Sequence, residues 1–278
     1  MNHISAIFRY PMFDPSIEDE YEYDLPFRSS KFTVQNEPNR KLQKYLEQFP
    51  YEKYTVCEVK GLGLFYIDDL PDSIKWHLRR GIYWESGIGE LVKKYTREGT
   101  IAIDIGAHIG IHTITMSKKV GSTGRVISFE PQFKIFRELY QNIKLNACDH
   151  NVILLRNALG DYEGQVEMSI RNPENEGGTS IGRDGDIADM RTLDSFNLDN
   201  VSFIKIDVES YELNVLRGAK ETIQRNKPVI VFEILGNHDL DHCSEELKMQ
   251  CESTIEFLRA LGYRVYRIYG NDFIALNI

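Results

Sequence analysis

The stretch Ile101-Ala-Ile-Asp104-Ile-Gly106-Ala-His108-Ile-Gly110 decides the fold of this 278-residue chain. A short apolar run reads as a buried strand, the two glycines as a turn, and Ile109 to Val120 as a helix. Glycine lets the backbone come close to a ligand at the carboxyl end of a strand, which is where open α/β sheets bind their ligands. The next strand, Arg125 to Phe129, leads into Glu130-Pro131, and Pro131 suits the first turn of a helix running to Asn146. A carboxylate at that strand end can accept two hydrogen bonds from a ribose diol.

Two nucleotide cofactors suit such a crevice. A dinucleotide fingerprint needs G-x-G-x-x-G to seat a pyrophosphate, whereas the spacing here is G-x-x-x-G with Asp104 beside it. An acid in that place repels a pyrophosphate and suits the ammonium end of S-adenosylmethionine. An NAD-dependent oxidoreductase is therefore the poorer reading.

Outward from this segment, strand and helix alternate. Val152 to Arg156, Val201 to Ile206 and Pro228 to Ile234 read as further strands. Tyr211 to Arg225 and Glu245 to Leu261 read as helices. Such alternation specifies a parallel sheet covered on both faces. The chain closes on Tyr263 to Ile268 and Phe273 to Leu276, joined by Gly270-Asn-Asp272, a linker too short for anything but an antiparallel pair. Gly160 to Leu193 interrupts the alternation with a polar, glycine-rich excursion, expected to be either plain surface or a loop over the strand ends. Upstream, Tyr54 to Val59 and Leu64 to Ile67 read as a hairpin, Ser73 to Arg80 as a helix closed by Gly81, and Glu85 to Tyr95 as an amphipathic helix.

Hydrophobic residues make up 42% and charged residues 27%, which excludes fibrous and fully disordered classes. The net charge of -9 disfavours a nucleic-acid or anionic-membrane partner. Six acids and no base lie between Asp14 and Asp24, so most of the acidity belongs to an irregular N-terminal arm, followed by a short helix over Lys41 to Phe49. No apolar run is long enough for a membrane span, and the first residues resemble no leader, so the expectation is a cytoplasmic protein. Cys57, Cys148, Cys243 and Cys251 form no CxxC pair and read as reduced, mostly buried thiols. His238, His242 and Cys243 lack a second ligand pair at a zinc spacing and read instead as the rim of an acceptor pocket.

Five motifs in order, Asp104-Ile-Gly-Ala-His-Ile-Gly110, Phe129-Glu-Pro131, Asn157-Ala-Leu-Gly160, Thr192-Leu-Asp194 and Phe203-Ile-Lys-Ile-Asp-Val-Glu-Ser-Tyr-Glu212 with Val215-Leu-Arg-Gly-Ala219, resemble the FkbM family of S-adenosylmethionine-dependent methyltransferases. The resemblance runs from about Tyr83 to Leu235. His108 stands where the family usually has Asn, and Ser210 where it usually has Gly. The resemblance implies an α/β, Rossmann-like class I methyltransferase fold: a mostly parallel seven-stranded sheet in the order 3-2-1-4-5-7-6, with strand 7 antiparallel. On that basis the chain divides into an acidic arm and short helix (1–53), an accessory hairpin and helix (54–82) and a methyltransferase domain (83–278).

Carried over residue by residue, Asp104, Gly106 and Gly110 line the methionine end, Glu130 the ribose, and Asn157 and Ala158 border the adenine, with Ala107, His108 and Pro131 also counted among the cofactor residues. Family members with an assigned reaction typically methylate hydroxyl oxygens, often on sugars or polyketide-type metabolites. The expected partner is therefore a glycan or small-molecule acceptor; the oligomeric state is open. Transfer to a hydroxyl needs an in-line arrangement and a base. Asp207, Glu209 and Glu233 are the catalytic candidates at the strand ends, and Asp207 also counts among the cofactor residues. Glu212 is a further carboxylate there, with a helix start as its plainer role. Asp207 and Glu233 could instead hold Mg²⁺, the less favoured alternative. Other readings kept open are a non-catalytic cofactor-binding module and a protein or lipid-linked glycan as acceptor. Lys205, alternating with Ile204 and Ile206, is expected on the opposite strand face and not necessarily in the site.

Overall fold

The computed structural model describes residues 54–68, 72–169, 178–183, 185–234 and 244–277. The acidic arm, the expected helix over 41–49, and His238, His242 and Cys243 lie outside them.

A hairpin opens the described chain, β1 (Tyr54–Val59) against β2 (Gly63–Asp68). Helix α1 (Ser73–Arg79) follows, its first turn closed by Asp72, which accepts from Lys75 N at 3.0 Å. Helix α2 (Ser86–Tyr95) leads into the alternating region: β3 (Ile101–Ile105), α3 (Ile111–Val120), β4 (Arg125–Phe129), α4 (Phe133–Leu145) and β5 (Val152–Leu155). After an insertion come β10 (Val201–Ile206), α5 (Glu212–Arg217), α6 (Lys220–Asn226), β11 (Val229–Glu233), α7 (Glu245–Ala260), β12 (Tyr263–Tyr269) and β13 (Asp272–Asn277). The seven-stranded sheet runs β5-β4-β3-β10-β11-β13-β12, and β13 is antiparallel to both its neighbours. Numbered along the alternation, that is the order 3-2-1-4-5-7-6 expected from the sequence.

Alternate residues of each strand feed two cores. Ala102, Val126, Phe203 and Val231 pack with α2, α3, α4 and the hairpin, while Ile103, Ile127, Ile204 and Phe232 pack with α5, α6 and α7. Phe203 and Phe232 are wholly buried, and a side chain of that size contributes roughly 2–3 kcal/mol.

Two expectations need correction. The helix read over 211–225 is two short helices. A Cβ on Gly218 would lie 1.8 Å from the Gly160 carbonyl oxygen, so the chain turns there, and the Asp194 carboxylate restarts the helix by accepting from Glu221 N (3.0 Å) and Thr222 N (2.7 Å). The excursion over 160–193 builds a small second sheet, in which β6 (Asn157–Leu159), β9 (Ile187–Arg191), β7 (Gly164–Ser169) and β8 (Ser180–Ile181) lie side by side. Val166, Met168, Ala188 and Met190 form its core, the inward half of an alternating pattern. Arg156 fastens this sheet to the domain through Asp186 (2.8 Å), which also accepts from Phe133 N at 2.9 Å.

The hairpin is anchored by polar groups as well as by its core. Asn142 Oδ1 accepts from Tyr66 N at 2.6 Å, and Asn146 accepts from Leu64 N at 3.0 Å while donating to its carbonyl at 2.6 Å. Helix α4 thus occupies hydrogen-bonding groups of β2 that would otherwise form an open edge. Beneath lies a buried charge network. Lys75 Nζ meets Asp68 Oδ1 at 2.8 Å and Glu138 Oε2 at 3.0 Å, and Lys134 Nζ meets Asp68 Oδ2 at 2.6 Å. Two ammoniums and two carboxylates balance, the condition for burying charge at all. Cys57, Cys148 and Cys251 are buried free thiols.

Candidate active site

A cleft of about 200 Å³ opens where the carboxyl ends of β3, β4, β10 and β11 face the small sheet and the start of α1. The loop after β3 forms its floor. Gly106 has φ +76°, and a Cβ there would lie 1.8 Å from the Asp207 carbonyl oxygen, so only glycine lets the two strand ends meet. Gly106 N and Ala107 N both donate to the Phe129 carbonyl at 3.0 Å, which ties the loop to the end of β4. His108 follows with φ +48°, a left-handed conformation in which Asn and His are enriched.

Glu130 is buried, with both carboxylate oxygens engaged by backbone: Oε2 accepts from His108 N at 3.0 Å and Oε1 from Gln132 N at 2.9 Å. Burial pushes its carboxyl up to about 7, and the two donated hydrogen bonds oppose this. His108, Glu130, Pro131, Asn157 and Ala158 all line the cleft, as do Gly106, Asp207, Glu209 and Glu233. Asp104, Ala107 and Gly110 lie behind the lining. Asp104 Oδ2 accepts from Thr113 at 2.6 Å, its Oδ1 is buried without a hydrogen bond, and burial raises its carboxyl.

The strand ends gather an acidic group. Glu233 is pushed far above the carboxylate range, by burial first and then by the Asp207 charge and hydrogen bond, so Glu233 keeps a proton beside the Asp207 carboxylate. Lys205 Nζ donates to Asp207 Oδ2 at 3.0 Å. Burial works against the Lys205 charge, yet Asp207, Asp104 and Glu85 hold its ammonium well above the usual lysine value. Lys205 does lie on the strand face away from Ile204 and Ile206, but that face carries Asp104, and its side chain reaches the strand end. A strand of six buried residues hid this, because alternation tells the face and not the reach of a long side chain. Asp272, on β13, is raised to about 6, by burial and then by Glu85 and Asp207.

Glu85 carried no sequence signal. It lies just before α2 with φ +51° and lines the cleft with Trp84, Ser73 and Ile74. Its Oε2 is 2.9 Å from His112 Nε2, and Trp84 Nε1 donates to its Oε1 at 2.9 Å. Burial opposes its ionisation, but the His112 hydrogen bond and charge, with Lys205, hold its carboxyl down to about 2. Glu212, by contrast, is buried behind the lining. Its Oε1 accepts from Ser210 N at 3.0 Å, bracing a turn in which Glu209 and Ser210 both have positive φ. Burial pushes its carboxyl up to about 7.

Glu85, Glu130, Asp207, Glu209 and Glu233 line the cleft, and among the described residues no lysine or arginine does. Such a donor set repels phosphates and attracts cations, so it fits the ammonium and sulfonium of S-adenosylmethionine, with Glu130 available to a diol and Asn157 and Ala158 beside an apolar slot of Phe129, Leu159 and Met168. Among the described residues, no group of three or more His, Cys, Asp or Glu side chains is placed to hold a metal ion.

Residues 104–265 match the Methyltransferase FkbM domain family. The hexuronic acid methyltransferase AglP of Haloferax volcanii is 25% identical over 206 residues, covering 72% of this chain and 83% of its own length. Among solved structures, methyltransferase FkbM from Methylobacillus flagellatus KT aligns with a TM-score of 0.44 at 16% identity, over 73% of this chain and 52% of that one. An S-adenosylmethionine-dependent O-methyltransferase from Thermotoga maritima aligns with a TM-score of 0.46 at 14% identity, over 82% and 86%. The strand ends that build the floor of the cleft all fall inside the matched segment, which spans more than half of the chain, and the protein belongs to the FkbM methyltransferase family.

Proposed function

We propose that this protein is an S-adenosylmethionine-dependent O-methyltransferase whose acceptor is a hydroxyl group of a sugar. The observation that carries the proposal is the carboxyl pair of Asp207 and Glu233 at neighbouring strand ends, in a cleft that no lysine or arginine lines among the described residues.

S-adenosylmethionine supplies an electrophilic methyl group on a sulfonium. The chain's own residues then have three tasks. Glu130, Asn157 and Ala158 orient the nucleoside end, while the acidic lining favours the positive charges of the other end. Asp207 is the residue that would accept the proton of the acceptor hydroxyl, because Glu233 already holds a proton and donates to it. Lys205 positions the Asp207 carboxylate through its hydrogen bond to Oδ2.

A sugar acceptor is supported by the hexuronic acid methyltransferase relative. Within such a sugar the acidic lining favours a hydroxyl over a carboxylate, since a carboxylate would meet repulsion here and would need no base. The test is incubation with labelled methyl donor and free or glycan-borne sugars, with mass spectrometry of the products. Asp207→Asn should lower turnover by about 10²–10⁴-fold, and Glu233→Gln, which keeps a donor next to Asp207, by much less. An Asp207→Asn enzyme as active as wild type would end the base assignment.

A further inference from the structure

The chain has two tryptophans, Trp76 and Trp84, and the fold puts both on one line of rings. Trp84 lines the cleft. The His77 ring meets it edge-on with centroids 4.7 Å apart, Trp76 meets His77 edge-on at 4.8 Å, and the Arg80 guanidinium stacks 3.5 Å over Trp76. Trp84 is partly buried, whereas Trp76 is 46% exposed, so the ladder leads from the cleft to open surface. Helix α1 supplies its outer rungs, and the first residues of that helix, Ser73 and Ile74, line the same cleft.

Polar groups accompany the rungs of the ladder. His77 Nδ1 donates to the Ser73 carbonyl at 2.7 Å, so its other ring nitrogen, Nε2, is the one left to meet a ligand. Glu85 flanks the inner end and Arg80 the outer. Apolar ring surface bordered by hydrogen-bonding groups is complementary to a sugar ring, which has apolar C–H faces and a rim of hydroxyls. Nothing in the chemistry of the acidic floor requires this line. A single-ring acceptor would be held by the floor and Trp84 alone.

We propose that Trp84, His77, Trp76 and Arg80 form a row of subsites for the outer rings of an oligosaccharide, so that the acceptor is a glycan whose methylated residue enters the cleft while its neighbours rest on α1. The occupant is assigned by continuity with the cleft, and the inference rests on the sugar-acceptor reading above.

A printed array of neutral and uronic-acid-containing sugars, from mono- to hexasaccharide, probed with the full-length protein saturated with S-adenosylhomocysteine, tests it. Wild type should bind the longer members about tenfold more tightly than their one-ring counterparts. Trp76→Ala should erase that preference, Trp76→Phe should keep most of it, and Met249→Ala, an exposed apolar truncation on α7, should leave it intact. Because both tryptophans belong to the ladder, oligosaccharide titration should also shift the intrinsic fluorescence. The inference is overturned if the array shows no binding or no length preference, or if Trp76→Ala keeps the preference. It is equally overturned if that variant changes only the oligomeric state, which would make Trp76 a contact between copies. Oligosaccharides that bind through Trp76 but accept no methyl group would leave the ladder standing and remove the enzymatic reading.

Discussion

The two walls of the cleft come from different parts of the chain and are held by different forces. One wall is the floor loop, Glu130, Asn157 and the ends of β10 and β11, all within the segment that matches the family. Strand register and backbone hydrogen bonds fix it, and burial raises the carboxyls of Glu130 and of Glu212 behind it. The facing wall, Ser73, Ile74, Trp84 and Glu85, precedes that segment. A hairpin and a buried ion network hold it, and its carboxyls at Asp68 and Glu85 are depressed by cations despite burial. A donor shared by a whole family can be bound by a motif. The acceptor proposed above would meet whatever the chain packs across from that motif, and here that is the stretch from Ser73 to Glu85.

Breaking the fastening of the second wall should have the largest effect on stability. Asp68→Ala leaves Lys75 and Lys134 buried with Glu138 between them. Chemical denaturation should show a loss of about 3–5 kcal/mol, the usual cost of orphaning a buried charge. A loss below about 1 kcal/mol would place the network among weak, surface-like pairs and undo the contrast.

The walls should also answer pH in opposite directions. Glu130 and Glu212 bind protons more tightly folded than unfolded, so their stabilisation is complete below about 4.5 and is lost as the pH rises towards about 7. Each contributes at most about 3 kcal/mol to that fall. Asp68, held low by Lys75 and Lys134, stabilises the fold above 3.8 and loses its contribution only as the pH drops through its lowered value. Thermal unfolding of the ligand-free protein should therefore show stability declining between pH 4.5 and 7, with a shallower decline in Glu212→Gln. A flat profile in wild type would refute the assignment of raised carboxyls to the floor.

The smallest expected effect concerns the turn after β10. Ser210 has φ +75°, a conformation that costs a side-chain-bearing residue roughly 1 kcal/mol and glycine nothing. Ser210→Gly should raise the melting temperature slightly, less the backbone entropy that glycine adds to the unfolded chain. An unchanged or lower value would mean that the hydroxyl compensates for the strain.

Much of this was legible in the sequence. Strand-helix alternation and the short terminal linker announced a parallel sheet with an antiparallel end, and the residues where the chain departs from the family, His108 and Ser210, prove to sit at positive φ, which is why Asn and Gly are usual there. The small second sheet was hidden in a polar stretch, although Gln165-Val-Glu-Met168 and Ile187-Ala-Asp-Met190 alternate as strands do. Lys205 was assigned the correct face but not its partner. The Thr192-Leu-Asp194 motif proved to carry a helix cap, since Asp194 restarts α6 after the break at Gly218.

The sequence by itself determined the strand-helix alternation and the antiparallel end of the sheet, because local periodicity and short linkers act over a few residues and need no distant partner, while the strand order came only through the family resemblance. Only the tertiary structure decided that Trp84 and Glu85 face Asp207 and Glu233 across one cleft. It also decided that Lys205 is charged there and that Glu233 is not. Those outcomes depend on burial and on the distances between charges far apart in the chain, which no local pattern encodes.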